Sequence, residues 1–511
     1  FVKTYGGHPS GIIVADEPLS DTFPARWDAK NKKQWSQWDM NVASDLGFMK
    51  MDVLALTNLT ILSHVNELLV ERGDGPVSWW DLTDDDMPPE DPAWQLLEDK
   101  KTVGIFQIES GGQAKRIAKD LHPRSLEDLS LIVALNRPGP DIEGYIDSRK
   151  PDAPEFDGFI YQEEVIAHFQ ACGYNLQEAD GIRSIMGKKK REAMEAEKPR
   201  YIERSKAAGV NRDDEEAERT WAKLESFSRY AFNKAHSYGY AKITFATLYA
   251  KSNYPDLFIL GALIAAGKKP HGGQNTGKQA LVKRVPAFIA EAIRMKIPVE
   301  PPCVNRSGVF PTYRDGKILL GFAAVSGVGR THAEWIVANR EDGYESIEDF
   351  FQRTQDPDRK KAFGKQRRVV VDSGKLEKLI DVGAFRSVEP ETRPMSEVLD
   401  AEQRLLGVQV SESAEAILEE RDLDVVTYDE IDGPGLWTTA GVVREVKESK
   451  TKKGDPMAFV TIERDGNELR FAVWKEKMWH LEKDLKLYEP VAVELVNDVK
   501  GAYLSRAVSV R

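Results

Sequence analysis

Four groups of residues in this sequence carry side chains and spacings suited to chemistry on phosphates. The first is Lys50-Met51-Asp52, on the short apolar run Phe48 to Leu56 that reads as a strand. A carboxylate at a strand end can offer oxygen to Mg²⁺, whereas magnesium sites in phosphoryl transfer use two or more carboxylates together with the substrate phosphates. An ordinary solvated charge is the alternative. The second group is cationic: Arg137-Pro138-Gly139-Pro140, Gly187-Lys188-Lys189-Lys190-Arg191 and Phe232-Asn233-Lys234-Ala235-His236-Ser237. Each Lys or Arg supplies charge-assisted donors and the glycines permit close approach, so a concave phosphate-binding surface is one reading. A solvated helix end is the other.

The third group is Val325-Ser326-Gly327-Val328-Gly329-Arg330, followed by Ala333 and Ile336. A hydrophobic-Gly-hydrophobic-Gly turn opening a helix presents backbone N–H groups to a phosphate without reading bases. A hairpin that only packs would have the same pattern. The fourth places Lys450, Lys452 and Lys453 beside Phe459, with Phe471 and Trp474 farther on. Basic residues among aromatics suit an OB-fold that tracks one strand by charge and stacking, although small barrels also fill their cores with Phe and Trp.

The elements that must position these groups follow from periodicity. A glycine-rich start leads into Ile12-Ile13-Val14, part of an α/β layer with the Lys50 strand. The acidic stretch Asp84-Asp85-Asp86 with Pro88, Pro89 and Pro92 reads as a surface linker, so a boundary is expected near residue 90. Residues 91–265 are mostly helical, with Ala217, Trp221, Leu224 and Phe227 forming an amphipathic stripe. Gly267 to Lys278 reads as a mobile loop, and Val285, Phe288, Ile289 and Ala292 resume the helical period. From Trp437 onward, five short β-rich runs (441–446, 458–462, 469–473, 491–496 and 503–508) predict a small five-stranded barrel.

Length and composition bound the answer. A chain of 511 residues exceeds the usual domain of roughly 150 several-fold, so several cores are expected. With 41% hydrophobic and 30% charged residues the composition is globular, and no long uncharged apolar run suggests a membrane span. Two distant cysteines, Cys172 and Cys303, suggest neither a disulfide framework nor a zinc site and fit a reducing cytosol. The net charge of −12 argues against a uniformly basic nucleic-acid coat while leaving local grooves open. Phe1 and the residues after it form no signal or transit peptide, and the chain is expected to begin inside a larger gene product.

Taken in order, these pieces resemble the alpha subunit of bacterial replicative DNA polymerase III, the C-family of DNA polymerases. The resemblance rests on Gly7-His8-Pro9-Ser10-Gly11, Lys50-Met51-Asp52-Val53-Leu54, Thr102 to Ser110, Ala134 to Pro140, Tyr161-Gln162-Glu163, Met186 to Lys190 and Phe232 to Ser237. Pro302 to Ser307, Gly327-Val328-Gly329 and Lys452 to Val460 complete it, so nearly the whole chain is covered.

The resemblance implies a multidomain α+β protein: part of a polymerase-beta-like palm (1–90), helical fingers (91–265), a helix-hairpin-helix and clamp-associated domain (266–429) and a C-terminal OB-fold β-barrel (430–511). It implies that Asp52 is one of three aspartates for two Mg²⁺ ions, with Lys50 its catalytic neighbour. The other two, in an upstream Asp-x-Asp motif, are absent here together with the family's N-terminal phosphoesterase-like domain, first half of the palm and thumb. Arg137, Lys188, Lys189, Asn233, Lys234, His236 and Ser237 would meet the incoming dNTP. Gly327, Val328, Gly329 and Arg330 would hold primer-template DNA, and Lys450, Lys452, Lys453 and Phe471 single-stranded DNA. Gln403 to Leu406 superficially resembles a clamp-binding peptide but matches a family helix instead, so the sliding clamp stays an open partner. No membrane partner is implied. The expected function is the C-terminal part of a template-directed DNA polymerase, inactive alone, in the cytoplasm of a bacterial cell or phage-infected host. The alternative is a non-catalytic DNA-clasping subunit of a split polymerase.

Overall fold

The computed structural model describes residues 11–16, 18–19, 23–29, 32–53, 55–109, 112–137, 141–149, 158–187, 191–228, 232–267, 284–355, 371–390, 392–411, 418, 425–426, 428, 431, 435–451, 454–464, 467–498 and 501–510. The chain divides into two compact units, Phe1–Leu59 and Thr60–Arg511. In the first, β1 (Gly11–Val14) pairs antiparallel with β4 (Met49–Asp52), setting Gly11 opposite Asp52 and Ile13 opposite Lys50. A second ribbon joins β2 (Ala25–Asp28) to β3 (Lys33–Ser36). Phe23 anchors this unit, with Trp38 and Phe48 edge-on to its ring at 4.8 and 5.0 Å.

The second unit is built on one continuous apolar core running from Ile61 to Val408. Its centre is the helix Leu126–Leu135, whose positions are buried at every step but Glu127. It packs on the long helix Lys234–Asn253. A helix buried at nearly every position must be enclosed by neighbours, which puts Leu126–Leu135 in the interior, whereas the long helix is mostly buried only over Ala241–Lys251 and leaves Ala235, His236, Tyr238 and Gly239 of its first turns exposed. A separate cluster around Phe169, Tyr201 and Trp221 closes a helical lobe, and Ala217, Trp221 and Leu224 face it as the stripe required.

The linker expected at residues 84–92 is instead part of this body. Met87 and Trp94 are buried, the Trp94 indole donates to Pro88 O at 2.9 Å, and Asp84 accepts from Leu126 N at 2.7 Å. Prolines and acids here shape a turn against the core, and the division of the chain falls at Leu59. The stretch read as a mobile loop, 267–278, lies outside the described residues except for Gly267.

Beyond the helix Val285–Arg294 come the three-stranded sheet β5 (Val299–Glu300), β7 (Lys317–Leu319) and β6 (Thr312–Arg314), and the helices Arg330–Ala338, Ile347–Gln355, Ser373–Asp381 and Met395–Leu405. The last five strands are β8 (Gly435–Lys450), β9 (Pro456–Arg464), β10 (Asn467–Trp474), β11 (Pro490–Asp498) and β12 (Gly501–Ser509). They close in the order β10-β12-β11-β8-β9, through a parallel β10–β12 contact at Ala472 and Tyr503. Each of the five runs read from the sequence lies inside one of these strands.

Alternating buried charges tie this barrel to the helical body. The Lys251 ammonium is fully buried, donates to Lys101 O and Val103 O at 2.7 and 2.9 Å, and pairs with Glu291. Arg294 lies 3.8 Å from Glu291 and donates to Glu463 of β9 at 3.1 Å, and Glu463 also accepts from Arg444 at 3.1 Å. Burial drives the Lys251 pKa down, while the Glu291 carboxylate opposes that shift.

Candidate nucleotide and nucleic-acid surfaces

Lys50 and Asp52, two apart on β4, share a face, and Lys50 Nζ donates to Asp52 Oδ2 at 2.7 Å. Among the described residues no group of three or more His, Cys, Asp or Glu side chains could hold a metal ion. One exposed carboxylate tied to an ammonium does not by itself fit a pair of magnesium ions.

The Phe232–Ser237 segment enters the long helix through a cap. Asn233 accepts from His236 N at 2.7 Å through its side chain, and its Nδ2 donates to Glu163 Oε1 at 2.8 Å. The other oxygen of Glu163 accepts from Lys234 N at 2.9 Å. A carboxylate of the chain itself therefore sits where a helix N-terminus would attract a phosphate. Asn233 serves the cap with both ends of its side chain, so the role expected of it beside a nucleotide gives way to a structural one.

Lys234 Nζ lies 3.0 Å from Glu127 and 5.3 Å from the Tyr161 ring centroid. Arg137 lies over the Phe232 ring at 4.1 Å, and its Nε donates to Ala134 O at 3.0 Å. Partial burial holds the Arg137 guanidinium below its ordinary pKa. His236 is exposed, 5.5 Å from Phe232 and 4.4 Å from Tyr240, and Tyr240 in turn stacks on Phe106 at 5.3 Å. Arg137, Phe232, His236, Tyr240 and Phe106 thus form one cation–aromatic ladder. His236 and Tyr240 stand four residues apart on the helix, the spacing that could have shown this part of the ladder in the sequence, while Phe232 joins it from the residue before the N-cap.

Ser237 departs from expectation. It is fully buried, and its Oγ donates to Ser130 O at 2.6 Å, one turn inside the helix and out of a ligand's reach. The nearby Tyr161 hydroxyl, 3.1 Å from Ser130 Oγ, is pushed up to about 12 by burial. Lys188 and Lys189 lie outside the described residues.

In the glycine turn, Val325 and Val328 are buried and anchor it, and Val328 N already donates to Val325 O at 2.9 Å, so Val328 closes and packs the turn instead of offering its amide to a phosphate. Gly327 adopts φ +87°, which side chains rarely accept, and an added Cβ would also meet the Lys378 ammonium. Gly329 has φ −70° and caps the helix Arg330–Ala338, and a Cβ there would meet only His332 Nδ1 at 3.9 Å. Gly327→Ala is therefore expected to cost about 1–2 kcal/mol in thermal or urea unfolding, and Gly329→Ala to stay within about 0.5 kcal/mol of wild type. Equal costs would refute this division of roles. Arg330 is exposed, donating to Glu334 at 2.7 Å and lying 5.6 Å from the Phe310 ring.

On the barrel, Lys450 is exposed at the end of β8, and Lys452 and Lys453 lie outside the described residues. Phe471 corrects the expectation of a stacking aromatic: it is 1% exposed and packs with Val443, Val460 and Val473 in the barrel core. Strand alternation turns it inward, while Trp474 at the end of β10 is exposed. Gln403 to Leu406 closes a helix, with Leu405 and Leu406 buried and Gln403 Nε2 donating to Leu487 O at 2.7 Å. It is not an extended peptide free to dock elsewhere. No helix among the described residues is long and apolar enough to cross a membrane.

Comparison with known proteins assigns three segments of the chain to named domains, which take in β4, Arg137 and the glycine turn but neither the Phe232–Tyr240 segment nor the barrel. Residues 1–55 match the bacterial DNA polymerase III alpha NTPase domain, 58–209 the bacterial DNA polymerase III alpha subunit finger domain, and 296–395 the helix-hairpin-helix motif. The DNA polymerase III subunit alpha of Thermus aquaticus is 31% identical, over 96% of this chain and 43% of its own length. The corresponding subunit of Aquifex aeolicus is 30% identical, over 90% and 41%, and that of Escherichia coli 32% identical, over 76% and 33%. The chain spans less than half the length of each of these relatives.

Proposed function

Because the chain belongs to the family of bacterial DNA polymerase III alpha subunits, we propose that it is the part of a template-directed DNA polymerase that holds the incoming deoxynucleoside triphosphate and the primer-template. The observation that carries this reading is the ladder in which Arg137, just past the helix Leu126–Leu135, lies over Phe232, with His236 and Lys234 at the start of the helix Lys234–Asn253. Cations over aromatic rings suit a ligand that is both polyanionic and aromatic. Glu163 already occupies the helix N-terminus, so the phosphates are met by side-chain cations rather than by its free amides. The glycine turn of residues 326–330 would hold the DNA backbone without reading sequence. The barrel order, with its third and fifth strands parallel, fits an OB-fold that holds single-stranded DNA.

Magnesium would supply charge neutralisation on the transferring phosphoryl group. Asp52 is proposed as one of its carboxylate ligands, although no group of three or more His, Cys, Asp or Glu side chains able to hold a metal ion occurs among the described residues. That single carboxylate also favours a second reading, a DNA-clasping subunit whose partner polypeptide brings the remaining palm carboxylates. Under either reading the 511-residue chain alone is expected not to extend a primer.

The test is dNTP binding to the chain on a primer-template, and primer extension once a polypeptide carrying the other palm carboxylates is added. Lys234→Ala is expected to weaken dNTP binding about tenfold, roughly 1.5 kcal/mol, because its ammonium is exposed and shared with Glu127. Arg137→Ala is expected to lose more, because its contact with Phe232 goes as well. Ser237→Ala leaves nucleotide affinity unchanged. Failure to prefer the template-complementary dNTP, or wild-type affinity in both cation variants, overturns the assignment.

A further inference from the structure

The first turn of a helix is an unfavourable place for a cation, because its unpaired amides already carry the positive end of the helix dipole. Lys234 nevertheless stands at the first position of the helix Lys234–Asn253. Its ammonium is drawn across to Glu127, in the first turn of the helix Leu126–Leu135, at 3.0 Å. We propose that Glu127 is the resting counter-ion of Lys234: the lysine leaves it to take the phosphates of a nucleotide, and the loss of the pair lowers nucleotide affinity. The inference rests on the reading of Lys234 as a nucleotide contact and adds the residue that regulates it.

Glu127 lines a cavity of about 530 Å³ together with Asp128, Glu164, Arg149, Tyr145 and Tyr161. Of its three acids, two are committed to the fold. Asp128 accepts from Arg124 N and Ser125 Oγ at 2.9 and 3.0 Å and pairs with Arg149 at 3.1 Å, and Glu164 accepts from Ile160 N and Tyr161 N at 2.7 and 2.9 Å. Among the described residues Glu127 makes one ion pair, with Lys234, and no hydrogen bond besides. The two side chains are 45% and 48% exposed, so the pair forms in water, where it is weak enough to be exchanged by turning the lysine's flexible stem. Phosphates drawn to the ammonium at its present place would meet Glu127 and the acidic wall behind it as like charges. A nucleotide is therefore met by an ammonium turned away from Glu127, toward the ladder of Arg137, Phe232 and His236. The ring of Tyr161, buried and 5.3 Å from the ammonium, is an uncharged second contact that loss of Glu127 leaves in place. An interaction present in the empty state and given up on binding subtracts from affinity, by roughly two- to fivefold for an exposed pair.

The test measures dNTP affinity of the full chain on a primer-template for wild type, Glu127→Gln, Lys234→Ala and the double variant. Glu127→Gln keeps the size and removes the charge. It is expected to tighten binding roughly two- to fivefold, by an amount that shrinks as salt is raised. In the Lys234→Ala background the same substitution should change nothing, because Glu127 is a positioning residue that acts through the lysine. Melting curves of the four proteins are expected to overlap, since neither side chain is buried. Unchanged binding in Glu127→Gln overturns the proposal, and so does weaker binding, which would make Glu127 a fixed support of Lys234. Tightening that persists in the double variant overturns it as well, since Glu127 would then repel the nucleotide directly. Wild-type affinity in Lys234→Ala overturns the inference alone if Arg137→Ala is weakened, and the nucleotide reading with it if Arg137→Ala is not.

Discussion

Lys251→Met is expected to destabilise the helical body by about 3–5 kcal/mol, seen as a lower urea midpoint and faster amide exchange in the helix Lys234–Asn253. Methionine nearly fills the alkyl space but supplies neither the charge nor the two hydrogen bonds to Lys101 O and Val103 O. Glu291, 3% exposed, then keeps only Arg294 at 3.8 Å, and the two carbonyls lose a donor in a site that excludes water. The decisive comparison is the double variant Lys251→Met with Glu291→Leu. Removing both charges removes the uncompensated carboxylate, so part of the loss should return. A single variant within 1 kcal/mol of wild type would mean that water reaches this pair.

Phe471→Ala is expected to cost the barrel about 3–5 kcal/mol through the lost transfer energy and the cavity left among Val443, Val460 and Val473. Any fall in DNA affinity should track the unfolded fraction and vanish at a temperature where the variant is folded. Lost DNA affinity in fully folded Phe471→Ala would return that residue to the binding face.

The contrast between Phe471 and Trp474 shows what the sequence could and could not tell. Alternation along residues 469–474 separates Leu469, Phe471 and Val473 from Arg470, Ala472 and Trp474, but a count of aromatics does not say which set is inside. The five strands were legible as short β-rich runs, some with turn residues between them; the closing contact of β10 with β12 is non-local and left no trace. Ser237 was misread because adjacency to Lys234 and His236 in a motif says nothing of helix face, and three residues beyond Lys234 it points into the core. Glu163 was missed for the opposite reason: an acid is not sought among phosphate-binding candidates, yet it caps the helix that bears them. The stretch at 84–92 failed as a linker because the partner of Asp84, the amide of Leu126, is 42 residues away.

The row of alternating charges from Lys251 to Arg444 bears on how these functions can be separated experimentally. A polypeptide starting at residue 280 would retain Glu291, Arg294 and Glu463 but lack Lys251 and the carbonyls of Lys100 and Lys101 that Arg294 and Lys251 satisfy. Its exposed cut face would carry a carboxylate whose principal cation had been left behind, together with an arginine short of its carbonyl acceptor. The same cut would divide the apolar core that runs from Ile61 to Val408, so activities assigned to the barrel and glycine-turn half are better dissected by point substitution in the whole chain than by truncation.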